Sequence, residues 1–332
     1  MKIFSVGIVG AGIISRDMHL PVLLSMPNVR VEWLADLDAG RAQRMARAYG
    51  VPRAVTATDP ADLPESEIVL LAIPLGARAP YYRPLALRSA AVFVEKPFAA
   101  SLREHREIVA LFPEPKLACG YMRRTYDSIA QLRRAVAQGW YGQPKRIRVA
   151  EGARNTRSGA DQMHYDQPGA SGGGALITQG SHSLDAVLHL TQAHEFKVLE
   201  KNLQWDGQID RKVEAQILLS GGSASERWSC SVEFCVSWLD RQDNLLEIEF
   251  ERARLSSGLT AEAGLILHDA DGRKRAILGG LEPGAKTSNQ AFYLEWRDFL
   301  RGLAESRPSI ISAASAQLTT ALVEELYRPE TT

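Results

Sequence analysis

Val6-Gly7-Ile8-Val9-Gly10-Ala11-Gly12-Ile13-Ile14-Ser15 is the stretch whose reading decides the fold. It closes an apolar run from Ile3 to Val9 that has the length and composition of a buried strand. Two glycines follow, and the apolar residues after them fall at helical spacing. A turn that carries a dinucleotide requires this order. Gly10 permits the tight turn, Gly12 lets the backbone approach a pyrophosphate with no Cβ in the way, and the next helix points its positive end at the phosphates. Ser15 stands where the pattern has its third glycine, and it is small enough for close helix–strand packing. Such turns are common, so the assignment depends on what the rest of the chain supplies.

With 332 residues the chain exceeds what one hydrophobic core usually supports, and two domains are expected. The charges balance at 39 basic and 39 acidic residues, without long runs of either sign. That speaks against nucleic acid or a membrane surface as partner, since both usually require a basic excess. Cys119, Cys230 and Cys235 lack metal-ligand spacing, and on one strand Cys230 and Cys235 would point to opposite faces. No metal site is expected, and a reducing compartment fits these cysteines. The N-terminal apolar run is short, broken by glycines and followed by Arg16 and Asp17 without a small-residue cleavage pattern. No stretch approaches the ~20 apolar residues of a membrane span. A soluble cytoplasmic protein is expected.

Residues 3 to 120 alternate short apolar strands with longer amphipathic segments. Strands are expected at Val29 to Asp36, Ile68 to Ile73, Ala91 to Val94 and Lys116 to Cys119. Helices are expected at Ala39 to Tyr49, in a stretch ending near Ser89, and at Leu102 to Leu111. This alternation implies right-handed crossovers and a parallel sheet covered on both faces. From Met122 the rhythm changes. A helix from Asp127 to Gln138 leads into strands with period-two alternation, such as Arg227 to Phe234 and Leu246 to Phe250. The fold class is α/β, a doubly wound parallel sheet over residues 1–121 followed by a domain over 122–332 with a large, mostly antiparallel sheet. Two helical patterns, Asn289 to Glu305 and Ala313 to Tyr327, close the chain.

Three groups of residues carry chemistry. Asp36, at the end of the second strand and a little over twenty residues past the glycines, can accept both ribose hydroxyls of an adenosine and would repel a 2′-phosphate. That favours NAD, and Arg41 leaves room for NADP. Glu95-Lys96-Pro97 follows a strand end, where open parallel sheets bind ligands; Lys96 can donate to an oxygen whose charge changes during hydride transfer. The third group is Gly172-Gly173-Gly174 with Thr178, His182 and Asp185. On a helix from Ala175 onward Thr178 and His182 share a face, Asp185 could hold the imidazole, and His182 is a natural general base near neutral pH. His164, Tyr165 and Asp166, just before the glycines, could line a polar pocket, with His164 the best contact. The other histidines, His19 among them, offer no partner and read as structural or solvated.

These motifs, together with His19-Leu20-Pro21, Ala35-Asp36, Ile73-Pro74, Gly120-Tyr121-Met122-Arg123-Arg124 and Phe292-x-x-Glu295-x-x-Asp298-Phe299, resemble the Gfo/Idh/MocA oxidoreductases over essentially the whole chain. The resemblance implies an N-terminal Rossmann domain and a C-terminal α/β domain with an open sheet through which subunits form homodimers or homotetramers. It implies NAD(P)-dependent redox chemistry on a sugar, cyclitol or nucleotide-linked sugar. Lys96 would contact the reacting oxygen and His182 would exchange the proton, with Thr178 beside it. Gly10, Gly12, Ile13, Ile14, Asp36, Ile73, Pro74, Leu75, Arg78, Glu95, Lys96 and Met122 would line the cofactor. Lys96, Arg123, His164, Thr178 and His182 would line the substrate.

The chain departs from the family pattern in two places. Thr178 replaces an aspartate common among sugar and cyclitol dehydrogenases, and a hydroxyl cannot raise a neighbouring histidine's pKa as a carboxylate does. The family's frequent Pro-Asn-x-x-His is Pro74-Leu75-Gly76-Ala77-Arg78 here; Arg78 is long enough to reach a phosphate or a substrate acid group, although a surface arginine is the simpler reading. Reduction of a keto-sugar or an imine, or a cofactor-binding sensor without catalysis, remain alternative functions.

Overall fold

The strictly alternating half of the chain folds as the six-stranded sheet its rhythm requires. The structure, a computed structural model, describes residues 2–56, 59–154, 172–222, 227–269, 271–278 and 284–329. It divides into two units, one formed by Met1–Met122 with Phe292–Gln317 and the other by Arg123–Ala291 with Leu318–Thr332.

In the first unit the strands are β1 (Phe4–Val9), β2 (Val29–Asp36), β3 (Arg53–Thr56), β4 (Ile68–Leu71), β5 (Ala91–Val94) and β6 (Leu117–Cys119). They lie in the order β3-β2-β1-β4-β5-β6, and every pair is parallel. Both faces are covered. Phe4, Val6, Ile8 and Leu34 enter one core, and Val9, Trp33, Ala35 and Val69 enter the other. The helices are α1 (Leu20–Ser25), α2 (Ala39–Tyr49), α3 (Ala79–Leu87) and α4 (Leu102–Val109). Local chemistry sets the ends of α2. The Asp38 side chain caps its first turn by accepting from the Arg41 N–H, and Gly50 ends it at φ 69°. The short strand β3 carries no run of apolar residues and escapes the sequence reading.

The second unit holds α5 (Asp127–Ala137), α6 (Ser181–Thr191) and an eight-stranded sheet. Its strands are β7 (Pro144–Gly152), β8 (Glu195–Asp206), β9 (Ile209–Gly222), β10 (Arg227–Ser237), β11 (Leu245–Phe250), β12 (Arg254–Gly258), β13 (Leu265–His268) and β14 (Lys274–Leu278). The order is β14-β13-β12-β11-β7-β10-β9-β8, antiparallel except where β7 meets β10. Alternation is realised as expected: Cys230, Val232 and Phe234 of β10 are buried, as are Leu246, Ile248 and Phe250 of β11, two places along the sheet. Cys230 is buried and Cys235 half-buried on the opposite face, and all three cysteines are free thiols. The other face is polar and pairs its own charges, as in Arg146–Glu233, Arg148–Asp243 and Lys212–Glu214.

The last two helices are α7 (Ser288–Glu305) and α8 (Gln317–Tyr327). The sequence reading assigned all of 122–332 to the second domain, whereas the contacts of Phe292–Gln317 place that stretch in the first unit. Aromatic packing is the reason. Trp296 stacks on Phe93 of β5 with ring centroids 4.4 Å apart, and Phe299 meets the same ring edge-on at 5.8 Å. Among the described residues no helix is long and apolar enough to cross a membrane.

The same helix buries an acid. Glu295 is fully buried, and among the described residues neither carboxyl oxygen has a hydrogen-bond partner. Burial, reinforced by the charge of nearby Glu95, pushes its pKa well above the ordinary value, so the group is folded in as the neutral acid. The folded form therefore holds a proton that the unfolded chain releases near pH 4.5. The stability tied to that proton is complete below this pH and is lost progressively as pH rises towards the folded value. Glu295→Gln should remove this loss. The difference in melting temperature, variant minus wild type, is expected to grow between pH 5 and pH 8 by about 2–4 °C, corresponding to ~1 kcal/mol. Thermal unfolding at a series of pH values checks this, and parallel curves would contradict it.

Candidate functional site

The cofactor side lies entirely in the first unit. Gly10, Asp36, Ile73 and Glu95 stand at or just beyond the C-terminal ends of β1, β2, β4 and β5, the edge where open parallel sheets bind ligands. The strand order reverses between β1 and β4, and the glycine turn sits there. Gly10 has φ 105°, and a Cβ on it would come within 2.3 Å of the Ala72 carbonyl oxygen. A Cβ on Gly12 would meet no atom within 4 Å, which leaves open space over the turn. Ser15, fully buried, donates its hydroxyl to the Gly10 carbonyl at 2.6 Å.

Asp36 is buried, and each of its carboxylate oxygens accepts one main-chain N–H. One bond comes from Ala11 in the glycine turn at 2.7 Å and the other from Asp38 at 2.9 Å. A carboxylate offers about four acceptor positions, so two remain for ribose hydroxyls. Arg41 approaches Asp36 at 3.8 Å and Asp38 at 3.7 Å. An open glycine turn beside a carboxylate with free lone pairs fits a dinucleotide. Ile13 is exposed here, while Ile14 and Met122 pack against one core and Ile73 against the other. Pro74 is exposed and Leu75 is buried in the following turn, so Leu75 serves packing.

Arg78 corrects the sequence reading. It is 3% exposed, neither a surface residue nor a reaching phosphate ligand. Its guanidinium donates to three main-chain carbonyls, those of Ile73, Glu95 and Pro97. It thereby ties the loop after β4 to the loop that carries Lys96. The Lys96–Pro97 bond is cis. Glu95, also buried, accepts from the Lys96 main-chain N–H at 3.2 Å, and its other oxygen lies 2.7 Å from His19 Nε2. Burial alone would raise the pKa of this carboxyl. The hydrogen bond from His19, with the positive charges of Lys96 and Arg78, brings it below the ordinary value.

His19 therefore has a partner the sequence did not reveal. The indole N–H of Trp296 donates to its Nδ1 at 2.9 Å. An indole can only donate, so Nδ1 is bare and the proton sits on Nε2, directed at Glu95.

The second unit carries the proton-transfer candidates. A π turn, Leu176–Gly180, precedes α6, so Thr178 and His182 stand on one continuous helical segment as expected. Its start is fixed by Asp210, on β9, whose carboxylate accepts the N–H groups of Gly174 at 2.6 Å and Leu176 at 2.7 Å. The Tyr327 hydroxyl donates to the same carboxylate at 2.7 Å. A Cβ on Gly174 would come within 1.9 Å of the Asp210 carbonyl oxygen, so this position requires glycine. Thr178 donates its hydroxyl to the Gly174 carbonyl at 2.7 Å. His182 is buried, at 7% exposure.

Two expectations change here. Asp185 was expected to orient His182, but both of its oxygens are bound by Arg124, at 2.7 and 2.6 Å, and Thr319 adds a third bond at 2.9 Å. Arg123 was expected to line the substrate, but it is buried and grips Glu151 with both terminal nitrogens while donating to Ser183 at 2.9 Å. The paired arginines thus pin α6, one through Ser183 and Glu151, the other through Asp185. Glu151 and Ser183 were not singled out. Glu151 sits beside the strand-end glycine Gly152, and its partner lies 28 residues away in sequence, which no periodicity encodes. His164, Tyr165 and Asp166 lie outside the described residues. Among the described residues no group of three or more His, Cys, Asp or Glu is placed to hold a metal ion.

Comparison with known proteins gives this geometry a family. The model of the Gfo/Idh/MocA oxidoreductase family, NAD-binding Rossmann fold, matches residues 4–121, and that of the family's C-terminal domain matches residues 129–256. Inositol 2-dehydrogenase 2 of Paenarthrobacter aurescens is 30% identical over 193 residues, 55% of this chain and 54% of that protein. The rhizopine catabolism protein MocA of Rhizobium meliloti is 26% identical over 68% of this chain and 70% of its own length. The match to the first of these relatives thus spans about half of its length. In fold, the aldose-aldose oxidoreductase of Caulobacter crescentus, solved with glycerol, superposes with a TM-score of 0.82 over 98% of this chain and 97% of its own, at 17% identity. The parallel sheet with its glycine turn, the eight-stranded sheet and both family models agree: the chain belongs to the Gfo/Idh/MocA oxidoreductases, and its first unit is their NAD-binding Rossmann domain.

Proposed function

We propose that the protein is an NAD(P)-dependent oxidoreductase, with NAD preferred, that interconverts a secondary alcohol and a ketone on a sugar, cyclitol or nucleotide-linked sugar. The observation that carries this reading is the loop Glu95-Lys96-Pro97. It stands at the ligand-binding edge of a parallel sheet and is clamped by Arg78 to the loop after β4. A lysine held there donates to a substrate oxygen and stabilises the charge it develops. The family relatives support the substrate class, since one is named an inositol dehydrogenase.

The glycine turn and Asp36 would hold the cofactor's pyrophosphate and adenosine ribose. The nicotinamide, when bound, supplies the hydride acceptor for oxidation or the donor for reduction. The chain's own residues do the rest. Lys96 orients the reacting hydroxyl and stabilises its oxygen as it becomes a carbonyl. His182 takes the hydroxyl proton in oxidation and returns it in reduction. Thr178 donates its hydroxyl proton to Gly174, and a hydroxyl brings no negative charge to the segment. This lends weight to a second reading, a cofactor-binding sensor without turnover. The polar face of the eight-stranded sheet is the surface we assign to self-association as a dimer or tetramer.

Incubation with NAD⁺ or NADP⁺ and a panel of sugars, cyclitols and polyols, followed by absorbance of the reduced cofactor, separates the two readings. His182→Ala should lower kcat by about 10²–10⁴-fold, and Lys96→Ala should abolish measurable turnover. Tight cofactor binding with no turnover of any alcohol, ketone or nucleotide sugar would support the sensor instead. For the cofactor, Asp36→Ala should weaken NAD⁺ binding by at least about tenfold, the value of one charged hydrogen bond, and NADP⁺ binding much less; equal losses in titration calorimetry would overturn the preference. Thr178→Asp adds a negative charge four residues before His182, which stabilises the imidazolium. The acid limb of the kcat/KM profile should then move to higher pH, and an unchanged profile would remove His182 from the role of base.

A further inference from the structure

The helix that begins at the glycine turn also carries His19, and His19 reaches Glu95. This connects the cofactor turn with the lysine loop inside one unit. The π turn Ser15–His19 starts where Ser15 caps the Gly10 carbonyl and ends at a histidine that is fully buried. Its ring lies edge-on to Phe93, Phe292 and Trp296, with centroids 5.6, 5.0 and 6.0 Å away. Both ring nitrogens are bonded, Nδ1 to the Trp296 indole and Nε2 to the Glu95 carboxylate. Because the indole supplies a proton and accepts none, the direction of every bond in the chain is fixed: Trp296 to His19, His19 to Glu95, and the Lys96 N–H to the other oxygen of Glu95.

We propose that His19 and Trp296 are positioning residues for Lys96. The indole locks His19 as the neutral tautomer with its proton on Nε2, that proton orients the Glu95 carboxylate, and Glu95 holds the main-chain N–H of Lys96. This rests on the reading of Lys96 as the donor to the reacting oxygen. A histidine so bound does not exchange protons with substrate, so this one serves placement and His182 remains the acid–base group. The charged and titratable groups around Glu95 are consistent with a single fixed negative charge at this point. The direction of its bonds leaves His19 with one proton, on Nε2; Lys96 and Arg78 bring positive charge to Glu95, and burial favours the neutral acid at Glu295. A neutral Glu295 leaves the charge on Glu95 alone, where the carboxylate accepts the Lys96 N–H.

The test uses the full chain in three forms, wild type, His19→Leu and His19→Gln, because a glutamine amide can supply the N–H that His19 directs at Glu95. Nitrogen-15 spectra near neutral pH should show His19 with a protonated Nε2 and a bare Nδ1. Hydrogen exchange at the Lys96 amide should quicken about tenfold in His19→Leu, the equivalent of one hydrogen bond, and return towards wild type in His19→Gln. On any substrate the wild type turns over, kcat should fall in His19→Leu by up to ~100-fold, the scale of an ångström of misplacement, and recover in His19→Gln. The NAD⁺ dissociation constant should change by less than about threefold, well below the tenfold step of one hydrogen bond. Should His19→Leu fail to fold, Trp296→Phe keeps the ring and removes the donor, and His19 should then show a population protonated on Nδ1. A proton on Nδ1 in the wild type, equal Lys96 exchange in all three forms, or equal loss of kcat in the Leu and Gln variants would each overturn the proposal. A wild type that turns over no alcohol or ketone sinks the proposed function, and the spectra and the exchange rates still decide the positioning role.

Discussion

An ionised carboxylate cannot remain dry without partners, since an isolated buried charge costs several kcal/mol. This constraint organises both units. Glu95, Glu151, Asp185 and Asp210 are 9, 6, 1 and 0% exposed, and each binds donors on or beside a segment proposed to form the site. Glu95 holds the Lys96 loop and His19; Glu151 takes Arg123 and Ser183; Asp185 takes Arg124 and Thr319; Asp210 takes the start of the segment bearing Thr178. The donors are fixed because the carboxylates require them, and loops that would otherwise be adjustable are held in one arrangement. Glu295 meets the same constraint in the opposite way. It has no donor within the described residues and is folded in as the neutral acid.

Hydrophobic periodicity made the architecture legible. Val29–Asp36, Ala39–Tyr49 and Ala91–Val94 fall where the apolar pattern puts them, because each element is bounded by a strong local signal such as Asp38 or Gly50. The strands that escaped lack that signal. Arg53–Thr56 is an edge strand with exposed ends, and Arg254–Gly258, Leu265–His268 and Lys274–Leu278 are only four or five residues long, too short for alternation to stand out. Their partners define them, through β2 in the first case and through the ladder running outward from β11 in the others.

The candidate site was legible in its residue types and illegible in its pairings. Gly10, Asp36, Lys96 and His182 announce themselves by type and spacing. The destination of Arg78 does not, because a guanidinium that binds main-chain carbonyls leaves no mark on the residues it binds. For the same reason Asp185 looked like the partner of His182, three residues away, while its actual partner Arg124 lies 61 residues away. The family pattern carries such residues without their reasons. His19 and Glu295 belong to family motifs, yet the bonds of the one and the dry burial of the other emerge only when Trp296 and Glu95 are placed beside them.

The two residues proposed to act on substrate are consequently held by different means. Lys96 is held through its main chain, by a carboxylate that accepts its N–H and by a guanidinium that binds the carbonyls of Glu95 and Pro97 on either side. His182 is fixed through a helix whose start is capped by Asp210 and whose first turns are pinned by Ser183 and Asp185. Thr178 lies between that cap and the histidine and uses its own proton on the Gly174 carbonyl. Replacement of the family's usual aspartate by a hydroxyl so engaged removes charge from the segment without loosening it. Under the proposed function Thr178 therefore bears on substrate preference, while the bonds that hold the main chain of Lys96 do not involve it.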